Sequence, residues 1–196
     1  MSLLKRLLGK KSFSDEGLTL YRLTVEQGRR PIFYLDLGVP DSVDGRFDLL
    51  ALHVFLVMRR LKDQGAEAEA LGQDLSEIFF ADMDLNLREL GASDIGVGKR
   101  VKRMIEGFYG RALAYDAALR LGPEAPAEAE GSDLEAVLRR NLYATTAVAA
   151  PCVTAMAAYI RLVDATLQNQ DWRRLSHGEI RFPDPLPPVE EGSNLA

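Results

Sequence analysis

Apolar residues recur at intervals of three and four through most of the chain, and this spacing predicts a series of α-helices. Ser14 or Asp15 can cap a first helix that runs to about Gln27 and ends at Gly28. Residues 46–62 are apolar almost all round, which is typical of a helix at the centre of a core. The pattern therefore favours helices packed on a buried central helix.

Further helices are predicted on both sides of an acidic, proline-containing break at residues 121–132. One covers about residues 68–90, and the next follows Ser93 or Asp94 and has the clearest amphipathic pattern of the chain. After the break, Ser132 or Asp133 can cap a short helix. Three stretches complete the prediction: residues 30–39 as either an extended segment or one helical turn, residues 171–175 as one turn, and residues 182–196 as a proline-rich tail that either lies extended on the surface or is disordered.

Residues 141–160 carry no formal charge and are about long enough to span a bilayer. The stretch consists mostly of small residues, whereas membrane-spanning helices usually depend on larger apolar side chains. Pro151 in its middle suits the first turn of a new helix, or a kink in a longer one. We therefore expect a helix of small residues, reaching about Leu167, that packs closely against its neighbours.

These elements predict an all-α fold, a single-domain irregular helical bundle of about six to eight helices. We divide the chain into a short basic amphipathic segment (1–12), a helical domain (13–178) and a proline-rich acidic tail (179–196). The length of 196 residues fits one such domain.

Composition and charge exclude several classes of protein. Hydrophobic residues make up 47% of the chain and charged residues 27%, which excludes a wholly disordered protein. A net charge of −5 argues against general DNA binding, so any basic contact must be local. Cys152 is the only cysteine, which rules out an internal disulfide and zinc sites built from several thiolates. We expect no cofactor and no metal.

The N-terminal segment places leucines on one side of a helix together with basic residues, a pattern that suits the water–lipid interface. The predicted membrane contact consists of Leu3, Leu4, Lys5, Arg6, Leu7 and Leu8. Because the segment is short, the contact would be weak, and packing back on the domain is the alternative. It has no apolar stretch typical of a signal peptide. We therefore expect a cytoplasmic protein with weak peripheral contact to a membrane.

Two polar groups stand out as candidate binding surfaces. Asp82, Asn86 and Glu89 form an acidic strip where the apolar stripe of the 68–90 helix would have continued. Pairing with cations of a neighbouring helix is the first interpretation of the strip, and an acidic docking surface is the second.

A basic face on the following helix is the other candidate, and its residues are Lys99, Arg100, Lys102, Arg103 and Arg111. Glu106 lies within reach of Lys102 and Arg103, so a solvated face with its own ion pairs is one interpretation. A contact for ribosomal RNA, an anionic membrane or an acidic partner protein is the other.

Two stretches resemble a known family. Residues 47–61, FDLLALHVFLVMRRL, are followed by residues 78–115, IFFADMDLNLRELGASDIGVGKRVKRMIEGFYGRALAY. The order of these sequence elements resembles that of the ubiquinol–cytochrome c chaperone family. It is a histidine-containing apolar helix followed by ADMD, LRELG, GVGKRVKRM and FYGR. The resemblance covers the middle of the chain.

The resemblance implies a non-enzymatic assembly factor for cytochrome b, or another component, of the respiratory bc1 complex. Mitochondrial members of the family act with a small partner protein near the ribosome exit tunnel. The short N-terminus here looks like that of a bacterial member. The resemblance does not imply a ribosome contact or a small partner for a bacterial member, so we state both only as expectations.

The residues alone also allow two rival functions. One is a membrane-surface scaffold or adaptor that uses the basic N-terminus. The other is an enzyme of unknown type in which His53, Asp82 and Glu89 converge in one pocket. A lone histidine among apolar residues is usually a hydrogen-bonded core residue, so we assign no catalytic residue. A metal site of the ferritin-like kind would place Glu three residues before each histidine, where this chain has Leu50 and Arg174.

Overall fold

A computed structural model describes residues 13–89, 94–121 and 133–188. These described residues form helices and no strand. They contain eight helical segments, two of which are short. These are α1 (Asp15–Gly28), α2 (Ile32–Leu35), α3 (Val43–Leu61), α4 (Ala66–Glu89), α5 (Asp94–Leu121), α6 (Leu134–Asn141), α7 (Ala150–Gln168) and α8 (Trp172–Ser176). The predicted all-α bundle is confirmed. The division into three segments remains a prediction.

Helix α3 lies at the centre of the bundle and packs against α1, α4, α5 and α7. Its buried residues lie on all sides, from Phe47 near its start to Leu61 at its end. Near that end, the Arg59 guanidinium contacts both Asp116 of α5 and Asp164 of α7, so one half-buried cation joins three helices. The prediction of a central core helix is confirmed.

Side-chain caps explain where several helices begin. The Ser14 hydroxyl accepts a hydrogen bond from the Gly17 amide, and Asp133 and Asp171 accept equivalent bonds at α6 and α8. Each cap satisfies an amide that has no partner within its helix. Ser42 caps α3 in the same way, so that helix begins at Val43, earlier than the sequence pattern predicts.

Residues 30–39 contain a single helical turn, α2, which decides between the two predicted alternatives. Phe33 is fully buried and anchors the turn to the core. The Tyr34 hydroxyl donates a 2.7 Å hydrogen bond to the Gly28 carbonyl at the end of α1. A tyrosine therefore satisfies one of the carbonyl groups that the end of α1 leaves open.

Helix α7 begins at Ala150 with Pro151 in its first turn, so the proline starts a new helix as one alternative predicted. By length and composition alone this helix could cross a membrane. The mean hydropathy of its most apolar 18 residues is 1.2, and 39% of these residues are buried in the protein. Its buried side, which includes Val153, Ile160 and Val163, faces the protein, where α7 packs against α3 and α6. Such packing is also found in the core helix of a soluble protein.

Residues 179–188 contain no helix or strand and pack along the bundle. Gln170 exchanges two hydrogen bonds of 2.8 Å with the backbone of Arg181. Arg30 forms a 2.6 Å ion pair with Asp184, and Pro185 is buried. The proline-rich part of the tail is thus held by specific contacts, whereas the acidic residues 189–196 and the N-terminal segment lie outside the described residues.

Candidate docking groove

A cavity of about 300 Å³ opens between the end of α1, the start of α3, the end of α4 and the start of α5. Its floor is apolar and its rim is charged. Apolar side chains of the floor are Val25, Phe47, Leu50, Met83, Leu87 and Met104, and charged side chains of the rim are Arg29, Asp44, Arg46, Asp82, Glu89 and Arg100. We call this cavity the docking groove.

All three residues of the acidic strip line the docking groove. Asp82 is half-buried and accepts a 2.7 Å hydrogen bond from the hydroxyl of Tyr21 in α1. Burial, and then the negative charge of Asp82, raise the pKa of Tyr21, so this hydroxyl stays a donor. The Asn86 side chain donates to the Asp82 carbonyl at 2.7 Å, and Glu89 is exposed. The partner of Asp82 is therefore a tyrosine, where the first interpretation expected a cation.

The basic face of α5 reaches the same groove from the other side. Arg100 lines the docking groove and pairs with Asp44 of α3 at 3.4 Å. A second depression of about 450 Å³ shares Asp44, Phe47, Arg100 and Met104 with the groove. It continues along α5 to Arg103, Gly107 and Arg111. The two predicted surfaces thus border one continuous concavity.

Arg111 holds the far end of this concavity together. Its guanidinium lies 3.1 Å from the Asp48 carboxylate and 5.6 Å from the centre of the Phe47 ring. Burial raises the pKa of Asp48 to about 6, because the loss of solvation outweighs the opposing attraction of Arg111. Arg111 is therefore a half-buried structural cation as well as a wall of the depression.

The five basic residues divide into two groups. Arg100 and Arg111 face α3 and pair with its carboxylates. Lys99, Lys102 and Arg103 are exposed, and Lys102 lies 3.8 Å from Glu106 within α5. Within the second group, Arg103 also lines the second depression, whereas Lys99 and Lys102 line neither the groove nor the depression.

Sequence reasoning missed the groove residues that come from α1 and α3. Arg46 lies with its guanidinium 5.2 Å from the Tyr34 ring and pairs with Asp41 at 2.6 Å. The available signal was the spacing of Asp44 and Asp48, which places two carboxylates on one side of a largely apolar helix. Carboxylates at that spacing on a core helix indicate a cationic neighbour.

His53 lies elsewhere, fully buried behind α7. Its Nδ1 contacts the Leu49 carbonyl at 2.9 Å, and its Nε2 contacts the Tyr159 hydroxyl at 2.8 Å. Because a carbonyl can only accept, Nδ1 carries the proton and Nε2 accepts from Tyr159. Gln27 then donates to the Tyr159 oxygen at 2.9 Å. Burial lowers the pKa of His53 to about 4, so the ring is neutral at pH 7.

The enzyme alternative requires His53 to meet Asp82 and Glu89 in one pocket. The two carboxylates line the docking groove, and His53 does not. Both ring nitrogens of His53 already have hydrogen-bond partners, the Leu49 carbonyl and the Tyr159 hydroxyl. Among the described residues, no group of three or more His, Cys, Asp or Glu side chains is placed to hold a metal ion.

Tyr109 is an exposed aromatic residue on α5. Phe80, Trp172 and Phe182 are half-buried. Phe182 packs edge-on to His53, with 6.0 Å between the ring centres. Leu113 lies one turn beyond Tyr109 on α5 and is 73% exposed, so these two form an apolar surface outside the groove.

Comparisons with known proteins place this architecture in a family. The sequence profile described as ubiquinol–cytochrome C chaperone matches residues 35–182. The chain is similar to a solved structure titled the Cbp3 homolog from Brucella abortus, with a TM-score of 0.73 and 34% sequence identity. That similarity covers 86% of this chain and 89% of the other.

Two curated relatives carry the name ubiquinol–cytochrome c reductase complex assembly factor 1. The mouse and human proteins are each 25% identical to this chain over 100 residues, which is 51% of this chain. The aligned part spans 34% of the mouse protein and 33% of the human one, or about a third of their length. The profile and the solved structure both cover most of the present chain, and the chain belongs to the ubiquinol–cytochrome C chaperone family.

Proposed function

We propose that this protein is a non-enzymatic assembly chaperone of the bc1 complex that holds cytochrome b, or another bc1 component, through the docking groove. Family membership and the names of the curated relatives support a role in assembly. The observation that carries the role of the groove is the convergence of the acidic strip and the basic face on one apolar floor.

The chemistry of the groove suits a polypeptide segment. Met83 and Met104 are half-buried and offer flexible, polarizable side chains that adapt to different apolar surfaces. Carboxylates and guanidinium groups alternate around them, so an amphipathic helix could bury its apolar side and align its polar side. Asp82 is held by Tyr21, and Arg100 is held by Asp44. Because these charges have defined positions at the rim, they are suited to orient a bound segment.

Substitutions in the groove test this proposal. Met104→Glu places a charge on the apolar floor, and Arg100→Glu reverses a charge on the exposed rim. We expect both variants to retain less than a tenth of the cytochrome b that the unchanged protein co-purifies from membranes of the native host. The matched control is Leu113→Glu, which adds the same charge on α5 outside the groove. Circular dichroism must show that all three variants remain folded.

Loss of cytochrome b in the Leu113→Glu control, or its retention in both groove variants, would contradict the proposed role of the groove. Recovery of a different bc1 component, lost in both groove variants and kept in the control, would support the groove and replace the client. Two variants are used because Met104 is half-buried and its substitution alone could unfold the local helix pair.

We propose that the exposed group Lys99, Lys102 and Arg103 makes a second contact, with the ribosome near its exit tunnel, an anionic membrane or a small acidic partner. All three residues are exposed. Neutralising all three with Gln should abolish a salt-sensitive pull-down of one of these partners, because such contacts depend on charge. An unchanged pull-down of ribosomes, lipid and partner protein would exclude this contact.

We further propose a cytoplasmic location with weak peripheral contact to the inner membrane. The leucines and basic residues of the N-terminal segment support it through their pattern alone.

A further inference from the structure

A second groove, of about 840 Å³, runs between the starts of α1 and α4 and helix α8. Its apolar part consists of Ala70, Leu71 and the half-buried Trp172. Carboxylates dominate its polar part, and the charged side chains are Glu16, Glu67, Asp74, Glu77 and Arg173. Four carboxylates against one guanidinium give these five side chains a net charge of −3. We call it the acidic groove, and it shares no lining residue with the docking groove.

The described chain begins on the wall of this groove. Phe13 is buried in the core, and Ser14 lines the groove. The Ser14 amide donates a 3.0 Å hydrogen bond to Asp74, and its hydroxyl donates to the same carboxylate. These contacts fix the start of the described chain beside the carboxylates of the groove.

The N-terminal segment matches the groove in charge and in apolar character. Lys5, Arg6, Lys10 and Lys11 carry four positive charges within seven positions. Leu3, Leu4, Leu7 and Leu8 fall on one side when the segment is read as a helix. Twelve residues reach at most about 40 Å, so the groove lies within reach of the whole segment. A tether of this length gives an effective concentration of about the millimolar range.

We propose that the acidic groove binds the N-terminal segment of the same chain. The leucines lie on Leu71 and Trp172, and the basic side chains face the carboxylates of α4. Binding hides the leucines that the predicted membrane contact uses, so the bound segment and the membrane-bound segment are mutually exclusive states. Salt weakens the bound state, because its ion pairs lie near the surface.

Disulfide trapping in the full-length protein tests the proposal. On a Cys152→Ser background, Leu7→Cys is combined with Ala70→Cys in the groove or with Leu113→Cys on the far side of α5. Both target positions are exposed. With oxidised glutathione as the oxidant, we expect the Leu7–Ala70 bond to form within one chain at least tenfold faster than the Leu7–Leu113 bond.

Charge reversal and its rescue test the complementarity. Glu67→Lys with Glu77→Lys should slow the Leu7–Ala70 bond about tenfold, and adding Lys10→Glu with Lys11→Glu should restore it. Glu106→Lys, an exposed acidic position on α5, is the matched control and should leave the rate unchanged. Equal rates for the two target positions, bonds formed only between two chains, or a rate that does not respond to the reversal would overturn the proposal.

Discussion

The buried histidine makes the stability of this protein depend on pH in a way that can be calculated. The pKa of His53 falls from 6.5 to about 4 in the folded protein. Between these values the unfolded chain binds a proton that the folded protein does not, so stability falls as pH falls. The difference between the two pKa values corresponds to about 3 kcal/mol of unfolding free energy. This contribution is complete above pH 6.5 and is lost as the pH approaches 4.

His53→Gln isolates this contribution, because glutamine keeps a polar side chain at the site but does not titrate. Urea unfolding followed by circular dichroism at pH 4, 5, 6 and 7 gives the free energy for both proteins. The variant is less stable at pH 7, since it disturbs the hydrogen bonds to Leu49 and Tyr159. From pH 7 to pH 4, we expect the unfolding free energy of the unchanged protein to fall by about 3 kcal/mol relative to that of the variant. A constant difference would refute the assignment of a neutral, buried His53.

Three further predictions concern other parts of the molecule. Asp48→Asn should remove a pH dependence of the opposite sign. The pKa of Asp48 is raised from 3.8 to about 6 in the folded protein, so ionisation of this carboxyl lowers the unfolding free energy as pH rises over that range. In urea titrations, the unfolding free energy of the variant should therefore fall less between pH 3.8 and 6. Gly45→Ala should destabilise the protein by about 1–3 kcal/mol in thermal melts, because a Cβ would lie 2.1 Å from the Pro40 carbonyl oxygen. Gly110→Ala is the control: it has open space around it and should leave the stability unchanged or slightly higher. Full-length protein should float with anionic liposomes more than a variant that starts at Phe13, and equal flotation would remove the membrane contact.

Most of the helices could be predicted because their signals are local. Ser14, Asp133 and Asp171 are side-chain caps, and Pro151 marks a helix start, so each acts through the backbone nearby. The sequence does not decide the single turn at residues 32–35, because its helical state depends on burying Phe33 in a core formed by distant residues. Periodicity alone does not contain that information.

The candidate site could be predicted in its parts and not in its assembly. Helical spacing identifies the acidic strip on α4 and the basic face on α5, but not that both border one concavity. Arg100 and Arg111 turn towards α3 because Asp44 and Asp48 lie there, and this pairing across helices depends on how α3 and α5 pack. Likewise, Tyr21 is the partner of Asp82 because α1 packs beside α4.

The most direct test of the proposed function is to identify what occupies the docking groove in the cell. A photoreactive amino acid replaces Met104 on the groove floor, or Leu113 outside the groove, in the full-length protein in its native host. We predict that irradiation attaches cytochrome b, or another bc1 component, to the Met104 position at least tenfold more than to the Leu113 position. Equal labelling of the two positions, or attachment only of proteins unrelated to the bc1 complex, would contradict the proposed function.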